Sequence, residues 1–300
     1  MSQAFFFLSL SFITSLFFVF SLIKFFSAKD IRQVEREEGL DSHKVKSGTP
    51  TMGGLGFVIA ISIISVVFIK ELLPLVLLFL SYSLIGFFDD FLKVVNRRNM
   101  GLTSRQKLLL QIIFAFLFLS FAVNACNNLY GFIYFLFASF IIVGASNATN
   151  LTDGLDGLLI GSSVITTLSF LFIAHKEGNY HLEFFLVILL GALLGFLFFN
   201  FPKAKIFMGD TGSLALGALF AGIAIILHKE LLFILFGGIF VVETLSVIMQ
   251  VASFKLFKKR IFKMSPLHHH FELLGMKEIS VVYLFWGIHI ICNIIGVMLL

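Results

Sequence analysis

The stretch IGFFDDFLK at positions 85–93 ends an apolar run with two adjacent carboxylates, Asp89 and Asp90, set between aromatics. Neighbouring carboxylates repel, and each costs roughly 2.5–3.5 kcal/mol at the middle of a bilayer and less at a helix end. The pair needs a cation. Lys93 alone meets that need if the segment is only a polar helix terminus; a reaction site would use the acids more fully. Two further segments carry acids of similar character. NATNLTDGLDG (147–157) places Asp153 and Asp156 three residues apart, each followed by glycine, with Asn147, Asn150 and Thr152 alongside. FNFPKAKIFMGDTGSLALG (199–217) sets Asp210 where a basic loop meets a glycine-containing helix start. Free amide groups there favour phosphate, and the carboxylate favours a metal. Both segments also admit a plainer reading as helix caps, with Asp153 at the N-cap and Asp156 three residues in.

Other chemistries fit poorly. A calcium loop needs more acids at alternating spacing and a terminal Glu, and the GK[ST] of a phosphate-binding P-loop is missing. His268, His269 and His270 stand consecutively in KKRIFKMSPLHHHFELLGMKE. Neighbouring side chains diverge by about 100° on a helix or 180° on a strand, so the three cannot share one zinc. Beside Lys258, Lys259, Arg260 and Lys263 they suit hydrogen bonding to phosphate or sugar oxygens. Cys126 and Cys292 have no metal-type spacing and receive no role. Carboxylates, neutral amides, basic loops and histidines together suit Mg2+, which bridges protein carboxylate and substrate phosphate. The chemistry implied is phosphoryl transfer on a pyrophosphate at a membrane surface.

The elements that must position these groups are membrane helices. Hydrophobic residues make up 59% of the 300 positions, Phe alone supplies 41 of them, and only 13% are charged, against about 25% in an ordinary soluble domain. Runs such as LFLSYSLIGFF are apolar on every side, which excludes the alternating pattern of a barrel. Hydropathy predicts an all-α bundle of ten transmembrane helices at about 4–26, 53–70, 72–91, 107–125, 130–146, 155–174, 183–201, 213–228, 231–253 and 279–299. The first has no basic residues before it and is longer than a leader's apolar region, so it is read as a span. Segment 213–228 is barely long enough to cross, which predicts tilt or local thinning. Loops 27–52, 92–106, 147–154, 202–212 and 254–278 hold 17 of the 22 Lys and Arg residues. The positive-inside rule makes them cytoplasmic and puts both termini outside, with the site at the cytoplasmic face of a single domain, 1–300. All seven Asp residues fall in or beside those loops. The +5 net charge reflects topology and anionic ligands, with no reason to propose nucleic acid.

Taken together, KSGTPTMGG, GFFDDFLKV with GLTSRQKLLLQ, NATNLTDGLDGL, FNFPKAKIFMGDTGSLALG and SPLHHHFELLG resemble the phospho-N-acetylmuramoyl-pentapeptide transferase family. The acidic motifs are shared with the wider superfamily of polyprenyl-phosphate sugar-1-phosphate transferases, whereas the triple histidine looks specific to the muramoyl branch. The resemblance runs from about Lys46 to the C-terminus. It implies a multi-pass enzyme of the bacterial inner membrane that moves phospho-N-acetylmuramoyl-pentapeptide from UDP to undecaprenyl phosphate and releases UMP. It implies Mg2+ on Asp210, with Asp89 and Asp90 beside the phosphates as further candidate ligands. Lys46 and Lys93 are implied on anionic oxygens, with Lys107 also substrate-binding. The same resemblance implies that Asn150, Asp153, Asp156, Asn200, Phe207 and Gln250 fall in or near a nucleotide pocket, with Phe207 a candidate to stack on uracil. It also implies that His268, His269 and His270 serve donor binding and catalysis. A homodimer and cell-wall assembly enzymes are the expected protein partners. Attack by the lipid phosphate and an aspartyl-phosphate on Asp89 or Asp90 both remain open. The alternatives are an N-acetylglucosamine-1-phosphate transferase and a membrane transporter. Transport sites lie near the midplane, where this chain offers Glu243 and His289; both are read as buried bundle residues.

Overall fold

The computed structural model describes residues 2–29, 48–96, 101–122 and 129–300. Lys46, Asp30, Asp41 and Cys126 lie outside the described residues. The described residues form helices joined by turns, without strands: α1 (Ser2–Ala28), α2 (Gly54–Phe68), α3 (Leu73–Asn96), α4 (Ser104–Ala122), α5 (Leu129–Thr152), α6 (Leu158–Lys176), α7 (Tyr180–Asn200), α8 (Gly209–Ile226), α9 (Phe233–Phe236), α10 (Gly238–Phe257), α11 (Leu267–Leu273) and α12 (Glu278–Met298). Nine described helices are long and apolar enough to span a bilayer, and the chain is a multi-pass membrane protein. The tenth expected span, α2, has only 15 residues. At 1.5 Å per residue it reaches about 22 Å, short of the roughly 30 Å hydrocarbon core.

Segment 213–228 corresponds to α8, an 18-residue helix. As α8 it begins earlier, at Gly209, and it is the most enclosed of the long helices. Nearly every residue from Thr211 to Ile225 is buried, so α8 packs against protein on almost all sides. Small residues make this possible. A Cβ added at Gly86 of α3 would collide with the Asp210 backbone, and one at Gly217 would collide with Ala145 of α5. Side-chain hydroxyls add cross-links: Ser146 Oγ donates to Leu214 O at 3.0 Å and Thr149 Oγ1 to Ser213 O at 2.7 Å. Polar glue of this kind, with close backbone approach, is what holds helices together where lipid is as apolar as the side chains.

Several boundaries differ from hydropathy. Helix α3 continues to Asn96, placing Asp89 and Asp90 inside its last turns. Helix α5 continues to Thr152, so Asn147, Asn150 and Thr152 are helical rather than part of a loop; their amides and hydroxyl find partners within the bundle, which removes the cost of their polarity. Asp153 is not an N-cap. The next helix starts at Leu158 behind Gly157, whose φ of 81° is left-handed and suits glycine. The span predicted at 231–253 breaks at Gly237 into α9 and α10. The freed backbone groups are met by buried side chains. Thr166 Oγ1 and Asn293 Nδ2 donate to Phe236 O at 2.8 and 3.3 Å, and His289 Nδ1 accepts from Ile239 N at 3.3 Å. His289 thus serves the bundle, as the sequence suggested.

Gly86→Ala is expected to destabilise the bundle by about 1–3 kcal/mol through overpacking, read as a lower melting temperature in detergent. An unchanged melting temperature would contradict the close α3–α8 contact.

Candidate active site

Four helices end at the same place. Asp89, Asp90 and Lys93 come from the C-terminal turns of α3, Lys107 from the start of α4, Asn150 from the end of α5 and Asp210 from the first turn of α8. The α-helical period explains the α3 contribution: Asp89 and Lys93 are one turn apart, and Lys93 Nζ lies 2.6 Å from Asp89 Oδ2. The same ammonium lies 3.9 Å from Asp90 Oδ1 and 3.2 Å from Asp210 Oδ2. Lys107 Nζ is 2.6 Å from Asp210 Oδ2 and 3.9 Å from Asp89 Oδ2. Oxygens of Asp89, Asp90 and Asp210 all lie within 4.8 Å of one another.

Neutral donors complete the cluster. Asp90 Oδ2 accepts from Thr211 N at 3.0 Å and Thr211 Oγ1 at 2.8 Å. Asp210 Oδ1 accepts from Asn150 Nδ2 at 2.7 Å, and Asp89 Oδ1 accepts from Leu102 N at 2.8 Å. Two like charges about 4 Å apart repel by roughly 4 kcal/mol at an effective dielectric of 20. A capping hydrogen bond returns only about 1 kcal/mol, so capping does not account for three such groups. The ammonium groups do. Three hard carboxylate oxygens at this spacing also suit a magnesium-type cation, while neutral Asn150 and Thr211 fix the acids without adding charge.

Asp153 follows directly after α5. Its carboxyl is pushed well above the ordinary carboxylate range by burial first, then by the charges of Asp210, Asp90 and Asp156. Asp156 Oδ2 accepts from Ala204 N at 2.9 Å. Asn200 Oδ1 accepts from Gly157 N at 3.1 Å while its Nδ2 donates to Ile206 O at 3.0 Å. These two side chains therefore tie the 153–157 turn to the 201–208 loop. Phe207 is held by its backbone, donating to Pro50 O and accepting from Gly53 N, both at 2.8 Å. Its half-buried ring has no aromatic partner among the described residues.

The basic segment 258–278 is organised by side chains from α10. Gln250 Oε1 accepts from Ile261 N at 2.9 Å and Phe262 N at 3.0 Å, and its Nε2 donates to Phe262 O at 2.9 Å. That amide is spent on the loop. The three histidines take different partners: His268 Nδ1 faces Glu243 at 3.1 Å, His269 Nδ1 faces Glu272 at 3.0 Å and His270 Nδ1 accepts from Lys263 N at 3.2 Å. The three rings thus engage three different partners. Sequence reasoning missed Thr211, Glu278 and the part played by Glu243. Thr211 follows Asp210 directly, and Glu243, read as a buried bundle residue, is buried with its carboxylate bonded to the start of α11. Glu278 Oε1, which accepts from Asp156 N at 2.9 Å, left no such signal.

The helical bundle interleaves carboxylates and ammonium groups at one end, and the glycosyl transferase family 4 model matches residues 72–228, just over half of the chain. The chain is 46% identical over 297 residues to the phospho-N-acetylmuramoyl-pentapeptide-transferase of Bacillus subtilis (strain 168), covering 92% of this chain and 91% of that one. It is 48% identical over 282 residues to the protein of the same name from Staphylococcus aureus (strain bovine RF122 / ET3-1), with 87% and 88% covered. For that from Staphylococcus epidermidis (strain ATCC 35984 / DSM 28319 / BCRC 17069 / CCUG 31568 / BM 3577 / RP62A) the identity is 49% over 282 residues, with 87% and 88% covered. The chain belongs to the phospho-N-acetylmuramoyl-pentapeptide-transferase family.

A carboxyl whose folded value is raised costs stability above that value and ceases to do so as pH falls through it. Without divalent metal, the melting temperature is therefore expected to rise as pH falls through the raised value toward the ordinary carboxylate range. Asp153→Asn, which mimics the protonated acid, should flatten that dependence. An equal slope in both proteins would contradict the assignment.

Proposed function

We propose that this protein transfers phospho-N-acetylmuramoyl-pentapeptide from its UDP carrier to undecaprenyl phosphate, forming the first lipid-linked peptidoglycan precursor and releasing UMP. The observation that carries the reading is the Asp89, Asp90 and Asp210 cluster with Lys93 and Lys107 set between its members. The acceptor phosphate attacks the phosphorus nearer the sugar, and the bond from that phosphorus to the bridging oxygen breaks as UMP departs. A phosphate dianion is already nucleophilic, so no protein base is required for the attack. Lys93, whose side chain is 30% exposed, and Lys107 offset charge on the diphosphate and the departing UMP.

Asp89, Asp90 and Asp210 would hold Mg2+, which when bound supplies Lewis-acid neutralisation of phosphate charge. Asn150 holds Asp210 in place. Phe207 offers its ring to uracil, and Asp156, Asn200 and Gln250 support the pocket by fixing its loops. The positive-inside rule supports a cytoplasmic site in the bacterial inner membrane with both termini outside. Homodimer formation, neighbouring assembly enzymes and contact of Lys46 with anionic oxygens are expectations of the family.

Direct displacement is favoured because both carboxylates of the α3 pair are engaged: Asp90 Oδ2 by two Thr211 donors and Asp89 by Leu102 N and Lys93. The measurement is the stereochemical course at an isotopically chiral phosphorus. Inversion is expected; net retention would establish an aspartyl-phosphate and overturn the direct route. Incubating purified protein with UDP-linked pentapeptide, polyprenyl phosphate and Mg2+ should yield UMP and lipid product. Asp210→Ala should abolish product while leaving the protein folded; undiminished turnover in that variant would defeat the site assignment.

A further inference from the structure

Glu243 lies in α10, fully buried, and its carboxylate faces the segment that begins α11. Its Oε2 accepts from Leu267 N at 2.6 Å, and its Oε1 accepts from His268 N at 3.2 Å. Oε1 also lies 3.1 Å from His268 Nδ1. An ionised carboxylate offers only acceptors, so a hydrogen bond here requires the proton on Nδ1. The other ring nitrogen then carries none in the neutral imidazole.

That second nitrogen is conspicuous. His268 is only 1% exposed, and its Nε2 has no hydrogen-bond partner among the described residues. It sits directly against Gly154, where an added Cβ would collide with the ring, Nε2 foremost. Gly154 belongs to the turn that carries Asp153 and Asp156, and Asp153 in turn feels the charges of Asp90 and Asp210. A buried polar atom left unpaired costs about 1–3 kcal/mol unless something satisfies it. His270 shows the opposite arrangement: its Nδ1 accepts from Lys263 N, so its proton resides on Nε2.

We infer that Glu243 is a positioning residue that fixes the Nδ1–H tautomer of His268 and so presents Nε2, beside the Asp153 turn, as a hydrogen-bond acceptor for a hydroxyl or amide N–H of the sugar donor. This reverses the polarity the sequence suggested for His268, from donor toward phosphate oxygens to acceptor from a neutral group. The identity of that ligand rests on the transferase reading; the tautomer does not.

The test uses the full chain, labelled with 15N-histidine and reconstituted in lipid. The His268 signals, identified by their loss in His268→Asn, are expected to show a protonated Nδ1 and a bare Nε2, with His270 giving the reverse pattern. In Glu243→Ala the Nδ1 proton should lose its fixed place. Kinetically, Glu243→Ala should lower kcat/KM about 10–100-fold, the scale on which loss of an orienting partner acts. The double variant Glu243→Ala/His268→Asn should match His268→Asn alone within about twofold. A protonated Nε2 in the unsubstituted protein, or losses that multiply in the double variant, would overturn the inference. Since the spectrum of the unsubstituted protein needs no variant to fold, it decides the tautomer by itself. Absence of any turnover in the unsubstituted protein would defeat the transferase reading, whereas the spectrum would still test Glu243.

Discussion

Mutual repulsion among Asp89, Asp90 and Asp210, held in check by Lys93 and Lys107, is the constraint from which the rest of the arrangement follows. Three carboxylates with oxygens inside 4.8 Å are unfavourable at the end of an apolar bundle without compensation. The protein supplies two ammonium groups, the amide of Asn150, the hydroxyl and N–H of Thr211 and the N–H of Leu102. These come from α3, α4, α5, α8 and the α3–α4 turn, so the charge balance exists only when the helices are docked. Charge compensation and tertiary packing are therefore one requirement.

The packing has the features that this requirement demands. Helix α8 is the bundle's axis: enclosed on nearly all sides, rich in small residues, and carrying Asp210 at its first turn. Close passage of α3 at Gly86 brings Asp90 within reach of Thr211. Asn200 and Asp156 then staple two loops beside the cluster, and Gln250 and Glu243 do the same for the histidine segment. Ammonium groups and neutral donors do the compensating at the centre, while amides and the buried carboxylates of Asp156 and Glu243 hold the periphery.

Much of this could be read from the chain. Runs of apolar residues marked the helices because bilayer thickness imposes their length, and Asp89, Asp90 and Asp210 stood out because acids are costly near lipid. The sequence did not disclose that Asn147 and Asn150 are helical, since their polarity mimics a loop and only contacts with α4 and α8 make a helix tolerable there. Nor did it disclose the break at Gly237, whose loose backbone depends on Thr166, His289 and Asn293 from helices distant in sequence. The roles of Asn200, Asp156 and Gln250 as loop fasteners were hidden for the same reason. Long-range partners decide what a polar side chain does, and motif spacing does not report them.

The central claim is that carboxylates of α3 and α8 converge on one divalent cation. Electron paramagnetic resonance of Mn2+ added to the purified protein tests it most directly. A single bound Mn2+ per chain is expected, displaced by Mg2+ and lost in Asp210→Asn while the fold persists. Unaltered Mn2+ binding in that variant, or no specific binding in the unsubstituted protein, would contradict the account.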